Sequence, residues 1–396
     1  MPFNIIRWNF SINLFEKNKL PTVVQSIENK TANDVFINTI NDSMIKNSAV
    51  YFIHHIPTTF NISYERDNNF GFYNIKNING FFADFSSYLD KGVEDYLLDS
   101  FGKKAASRMR KMVRRLETCF TITCNNYYGD NIKKEKYDIL LQQFKSLIEK
   151  RFDQRGGVHV HLQRWEFYEK SVYKLIKEKK ASLQVLYSDD TPIAIHLYYH
   201  YQNIINGAIS SYDISYAKFG LGNIAVYKQV NWCLENNISM LDMGWGDSPY
   251  KRKWSNVIDQ YTATIVYNKK NLTSRFVAML LHNFIKLKNY LKSDLNIINK
   301  FKLKNKPTSA DNEKMNIYKG IRTEEVTEWP NDEDLKRIDI YTYDNDLLKL
   351  KVHDFQFLSS EHKSNTKVYS HLKNKGKVYY VSAEQKKIKI EFPART

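Results

Sequence analysis

The 396-residue sequence predicts an α+β protein of two lobes with mixed sheets and a small β-rich addition at the C-terminus. Three observations predict this class. In the first part of the chain, aromatic and β-branched runs such as "AVYFIHHI", "FGFYNIKN" and "GFFADFS" are cut by Asn, Asp and Gly turns and followed by helical patterns. Next, "LQVLY", "IAIHLYYHY" and "IINGAISSYD", joined by short turns, read as an antiparallel meander that runs straight into a glycine loop, a helix and an apolar strand. Last, the polar linker "KLKNKPTSADNEK" precedes short runs of alternating character. The chain is too long for one ordinary core. Boundaries are expected at 1–160, 161–306 and 307–396, with the last part separable, because boundaries fall in polar linkers.

About thirty residues at the start carry no clear pattern. After the first strands come helices over roughly 88–100 and 102–117. In the second, Ala105, Met109, Met112 and Leu116 recur at helical spacing while Lys104, Arg108, Lys111 and Arg115 line a neighbouring face. Its segment "KKAASRMRKMVRR" has no acid. A strand "CFTITCNN" and a helix over 134–151 complete this unit, and a helix near 164–180 leads into the meander. In the helix over 223–236, Val226, Val230, Cys233 and Leu234 form an apolar face that should pack on the sheet. A Lys-rich helix follows Tyr267. The runs "RIDIYTYD", "LLKLKVHDF", "KVYYVSA" and "KIKIEF" read as strands.

Composition narrows the function classes. A net charge of +16 favours anionic partners, and it is concentrated in the middle of the chain. Cys119, Cys124 and Cys233 match no zinc, haem or disulfide spacing, which points to a reducing compartment. No secretory signal is visible, and "FVAMLLHNFI" is too short to span a bilayer, so a soluble cytoplasmic protein is expected. His196 and His200 lie on one strand face but too far apart to share a metal without further ligands, and His159 and His161 lack partners at ligand spacing. No metal is expected.

Gly220, Leu221, Gly222 and Asn223 stand at a helix N-terminus, where unpaired N–H groups and the positive dipole end favour an anion. The segment lacks both the Gly-Lys-Ser/Thr of a P-loop and the third glycine of a dinucleotide fingerprint. Together with "SFGKKAASRMRKMVRRLE", the meander and "LDMGWGDSPYKRKW", it resembles the GNAT acyltransferase superfamily, and in particular the CelD-like branch, whose tandem architecture is shared with Fem aminoacyl transferases. The resemblance covers about residues 85–262. It implies two GNAT-like lobes and a loop that holds the pyrophosphate of acetyl-CoA or another acyl-CoA. Ala217 stands where such loops favour Gln or Arg, with Lys218 one step later to supply the charge.

The resemblance also offers Tyr250 as the acid that protonates the departing thiolate, its ordinary pKa near 10 suiting that role. Asp247 is either the general base or a helix cap. Lys251 either binds an anionic group or is solvated, Tyr212 and Asp213 flank the loop as substrate-binding candidates, and Trp254 reads as core. Arg108, Lys111 and Arg115 either bind an anionic acceptor or form a solvated face. The expected activity is transfer of an acetyl or short acyl group to an amine or hydroxyl of a small polar acceptor, such as an amino sugar or saccharide precursor. The alternatives are a Fem-type transferase using aminoacyl-tRNA, and a non-catalytic protein binding nucleic acid or a surface. The Lys-rich segment 286–306, with its interleaved Phe and Leu, offers a contact to membrane.

Overall fold

A computed structural model describes residues 4–38, 48–64, 69–153, 160–293, 320–384 and 386–393. The first strands are β1 (Ile5–Asn9), β2 (Val24–Asn29), β3 (Asp34–Ile37), β4 (Val50–Ile56), β5 (Phe60–Tyr64) and β6 (Phe70–Asp84). Next come β7 (Ile122–Tyr127), β8 (Ala181–Ser188), β9 (Thr191–Tyr201), β10 (Ile204–Tyr212), β11 (Met240–Trp245) and β12 (Val257–Asn268). A nine-stranded mixed sheet runs in the order β1-β4-β12-β6-β11-β10-β9-β8-β7. The boundary expected at residue 160 lies inside the stretch that builds this sheet, so strands of both expected lobes share it. A small antiparallel sheet, β3-β2-β5, sits beside it.

Helices cover both faces. On one side, α1 (Phe10–Lys17), α3 (Lys134–Asp153) and α4 (Trp165–Lys177) pack with the strands through Leu14, Phe144 and Val172. On the other lie α2 (Val93–Cys119), α5 (Leu221–Glu235) and α6 (Pro249–Trp254), built around Met109, Val226, Val230 and Trp254. β9 serves both cores, since Ile195, Leu197 and Tyr199 join the first while Ala194 and Tyr198 join the second side. Burial on both faces explains why "IAIHLYYHY" reads as a nearly continuous apolar run. The two helices expected over roughly 88–100 and 102–117 meet inside α2, where Gly102 leaves helical geometry with a φ of 77° and sets a kink between them. The unpatterned first residues hold β1 and α1, the latter capped by Asn9, whose Oδ1 accepts from the Ile12 amide at 3.1 Å.

α7 (Leu272–Ser293) crosses the outer part of the large sheet through Val277, Ala278, Leu281 and Ile285. The C-terminal part forms a second antiparallel sheet, β13-β17-β16-β15-β14, from β13 (Arg322–Glu325), β14 (Leu335–Ile338), β15 (Lys367–His371), β16 (Val378–Ser382) and β17 (Lys387–Glu391). One expected strand is a helix instead: "LLKLKVHDF" lies in α8 (Asp346–Ser359). Asn345 caps it, accepting from the Leu348 amide at 2.9 Å, and Leu348, Val352 and Phe355 recur at helical spacing to pack on the C-terminal sheet. The linker expected before this part lies outside the described residues.

α8 also makes contacts beyond the C-terminal sheet. His353 is fully buried, with its ring centroid 4.3 Å from that of Tyr216 and 5.1 Å from that of Phe120. Phe357 packs edge-on against Phe219 at 5.2 Å, and the Cys119 thiol lies 3.4 Å from the Gln356 carbonyl oxygen. The C-terminal part is thus seated on the segment that leads into α5.

Candidate active site

β10 and β11 run parallel for three residue pairs only, Ile204 to Asn206 against Met240 to Asp242. Beyond them the strands part. On β10 the register against β9 slips between Gly207 and Ile209, a bulge that bends the strand. On β11 the chain turns away through Gly244 and Gly246, with φ of 75° and 91°, values that favour glycine. The gap opens the sheet between its two helical layers.

A cavity lies against each side of this gap. The one on the α5 side, about 230 Å³, is lined by His196, Tyr198, Val226, Leu241, Tyr250 and others. The one on the α1 side, about 270 Å³, is lined by Ser11, Glu16, His161, Asn206 and Trp245 among others. Gly207, Ala208, Met243 and Lys251 line both, so the cavities meet at the parted strands.

Burial sets the electrostatics. Lys251 donates from Nζ to the Trp245 carbonyl, and burial holds its pKa below the usual lysine range, with Asp242 opposing. Asp242 is fully buried, which raises its pKa, while its Oδ1 accepts from the Tyr261 hydroxyl at 2.6 Å and the Gly244 amide at 2.7 Å. Burial pushes the Tyr250 phenol up, so it is protonated at neutral pH. His196 is buried and neutral, its pKa lowered to about 3 by desolvation and then by Arg151. Across the gap, Glu16 is raised by burial against the opposing effect of Arg164, whose Nη2 stands 2.6 Å from Oε2. His161 Nδ1 and the Tyr168 hydroxyl are 2.5 Å apart.

The glycine loop begins α5 as expected. Asp213 caps a turn of 3-10 helix over Ile214–Phe219, and Gly220 closes it with φ 73°. The amides of Leu221 and Gly222 precede the first backbone bonds of α5, made by Asn223 and Ile224 to the Gly220 carbonyl. A side chain at Gly222 would press on Tyr212 at 3.0 Å, and one at Gly220 would strike the end of Met112. The space in front of the two glycines is thus held by Tyr212 and Met112, and Asn223 Oδ1 already accepts from Lys253 Nζ at 3.0 Å and Trp254 Nε1 at 3.1 Å. Lys218 lies 3.8 Å from Asp354 of α8.

Of the sequence candidates, Tyr250 and Lys251 meet at the parted strands. Asp247 stands apart on the surface, paired through both carboxylate oxygens with Arg252, and that pairing holds its pKa low. The α6 cap is Ser248 instead, accepting from the Lys251 amide. Tyr212 and Asp213 line a third cavity of about 200 Å³, against Arg151, whose guanidinium lies 4.3 Å from the Tyr212 ring, and Lys349. Asp213 Oδ1 accepts from Ser215 and Oδ2 from Lys349 Nζ at 2.8 Å. Burial would raise its pKa, but Lys349 and Ser215 outweigh burial and lower it. Arg108, Lys111 and Arg115 line a cavity of about 330 Å³ between α2 and α8, close to the loop through Met112. Trp254 is core, 1% exposed.

Sequence reasoning passed over three lining residues. Glu16 sits in the unpatterned first stretch, with its capping Asn9 as the only local signal. His161 was set aside with His159, which lies outside the described residues, for want of a metal partner. His196 was read with His200 as a pair, and the structure separates their roles: His200 Nε2 is 2.7 Å from Ser182 Oγ and stacks on Tyr128, whereas His196 lines the cavity. Among the described residues, no three His, Cys, Asp or Glu gather as metal ligands would.

No curated protein matches the chain. Among solved structures it is similar to FemX, with 12% identity and a TM-score of 0.40 over 59% of this chain and 75% of that one. It is similar also to the L-PGS of Bacillus licheniformis, with 14% identity and a TM-score of 0.34 over 60% and 72% of the two chains. A third is a conserved protein of unknown function from Bacteroides thetaiotaomicron VPI-5482, with 9% identity and a TM-score of 0.35 over 56% and 70%. Residues 103–252, which hold the glycine loop, both parted strands, Tyr250 and Lys251, match the model of the acetyltransferase (GNAT) domain.

Proposed function

We propose that the protein is an acyltransferase that takes an acetyl or short acyl group from acyl-CoA and passes it through the gap between β10 and β11 to an amine or hydroxyl. One observation carries this reading: two cavities on opposite faces of one sheet meet at Gly207, Ala208, Met243 and Lys251. The donor enters beside α5, with its pyrophosphate on the Leu221 and Gly222 amides and its thioester at the gap. The acceptor enters beside α1. Its nitrogen or oxygen bonds to the thioester carbon, the C–S bond breaks, the acceptor proton passes to Glu16, and the Tyr250 hydroxyl protonates the leaving thiolate.

Glu16 takes the place of Asp247 as base in this proposal because it lines the acceptor cavity and its raised pKa makes it the better proton acceptor. A mixed lining of Glu16, His161, Ser11 and Asn206 suits a polar acceptor such as an amino sugar or saccharide precursor. The CelD-like branch is the finer placement within this reading.

A second reading, a Fem-type enzyme whose donor is aminoacyl-tRNA, is favoured by the cations of α2. Arg108, Lys111, Arg114 and Arg115 line one cavity, and among the described residues none of them has an acidic partner within ion-pair distance. One melting experiment separates the readings, because a ligand at a hundred times its Kd stabilises the folded state by about 2.7 kcal/mol. Acetyl-CoA or a longer acyl-CoA is expected to raise the Tm, and Gly222→Val to abolish the shift. A shift with charged tRNA alone would establish the second reading. No shift with either would leave a binding protein that has kept the fold.

A further inference from the structure

Helix α7 is apolar on two opposite sides. Its inner side, Val277, Ala278, Leu281 and Ile285, packs on the large sheet. Its outer side carries Leu272, Phe276, Met279, Leu280, Phe284, Leu287 and Tyr290, all exposed, with Leu272 at 77% and Phe284 at 65%. Their offsets of 4, 7, 8, 12, 15 and 18 residues from Leu272 form one stripe, which extends over about 27 Å of helix. A helix apolar all round is ordinarily buried, so an outer stripe of this length calls for an apolar cover.

The charges around the stripe identify the cover. Arg275 and Lys286 flank one edge of it, Lys288 flanks the other, and Lys270 precedes the helix; all four side chains are exposed. No Asp or Glu occurs between Gln260 and Ser293. A protein partner with an apolar groove would satisfy the stripe but leave the one-signed border unexplained, whereas a bilayer with anionic headgroups answers both: acyl chains meet Phe and Leu while the cations meet the headgroups. No helix among the described residues is long and apolar enough to cross a membrane. The contact is therefore one of a helix lying in the surface plane.

We propose that α7 docks the protein on an anionic lipid surface through Leu272, Phe276, Phe284, Leu287 and Tyr290, with Arg275, Lys286 and Lys288 on the headgroups. This holds whichever acyl donor the active site uses. The test is co-sedimentation of the full chain with vesicles of phosphatidylcholine alone and of phosphatidylcholine with phosphatidylglycerol, beside a variant carrying Phe276→Ser, Phe284→Ser and Leu287→Ser. The wild type should bind the anionic vesicles, release them as salt rises, and bind neutral vesicles at least about tenfold more weakly. The triple variant should lose at least about tenfold in binding with an unchanged Tm, since its changes remove exposed side chains only. Absence of vesicle binding, equal binding to both vesicles, or binding indifferent to the triple change would overturn the proposal. So would a wild-type dimer that binds no vesicles and that the triple change dissolves, which would make a second copy the cover.

Discussion

Lys251 and Tyr250 are neighbours in sequence, yet the turn of α6 gives them different tasks: Lys251 reaches both cavities, while Tyr250 lines only the one beside α5. Tyr250→Phe keeps the shape and deletes the proton, so kcat should fall by about 10²-fold with little change in the KM for the donor. A loss confined to KM would make the hydroxyl a binding group. Single-residue chemistry also sets a pH dependence. His196, His200 and His353 are held neutral by burial, each with a pKa lowered to about 3 from a usual 6.5. Between these values the unfolded chain binds the more protons, so their contribution to stability is complete above pH 6.5 and shrinks as pH falls. The loss at pH 5 is roughly 2 kcal/mol for each. His353→Phe should flatten the Tm decline between pH 6.5 and 4.5 by about one proton's worth, and an unaltered slope would show that His353 does not titrate with unfolding. Tyr250 and Lys251 were legible in the sequence because they follow a recognisable strand. Glu16 was not, because nothing local to "SINLFEK" reveals that Arg164, far along the chain, lies beside it.

Elements that obey local rules were read well. The meander, the crossover helix and the strand after it follow directly from strand and helix periodicity with glycine punctuation, and their boundaries agree with the structure to within a few residues. α8 was misread because Lys alternates with Leu and Val in "LLKLKV", an accident of spacing that mimics a strand, while the decisive helical spacing of Leu348, Val352 and Phe355 becomes visible only once both packing partners are known. The Asn345 cap was the local clue. α8 is tied to the glycine loop by the Lys349–Asp213 pair, which is partly shielded, with side chains 17% and 22% exposed. Lys349→Met would leave Asp213 with Ser215 alone. Stability should drop by about 1–3 kcal/mol, less than for a fully buried pair because water still reaches the carboxylate. A chymotrypsin digest should then cut after Phe355 or Phe357 faster than in the wild type; equal rates and equal Tm would show the pair to be idle.

At the scale of the molecule, the C-terminal sheet and α8 complete the hydrophobic surface around Tyr216, Phe120 and Phe219. A chain ending before residue 320 should therefore melt lower or aggregate, contrary to what a polar linker implies in the sequence. A soluble truncated protein with unchanged Tm would restore the independence of the tail. The linker pattern could not reveal this, because composition marks where a chain can be flexible and not which surfaces meet afterwards. The parted strands have a different kind of consequence, one of timing. A transferase can take its two reactants by turns, with the transferred group parked on the protein in between, or it can hold both at once and pass the group directly. Under the proposed function each of the two cavities takes one reactant, so both can be aboard together. Double-reciprocal plots at several fixed acceptor concentrations should then intersect, and radiolabelled donor incubated alone with the protein should leave no label on the chain. Parallel lines with a labelled chain would mean that a residue at the gap carries the group between visits.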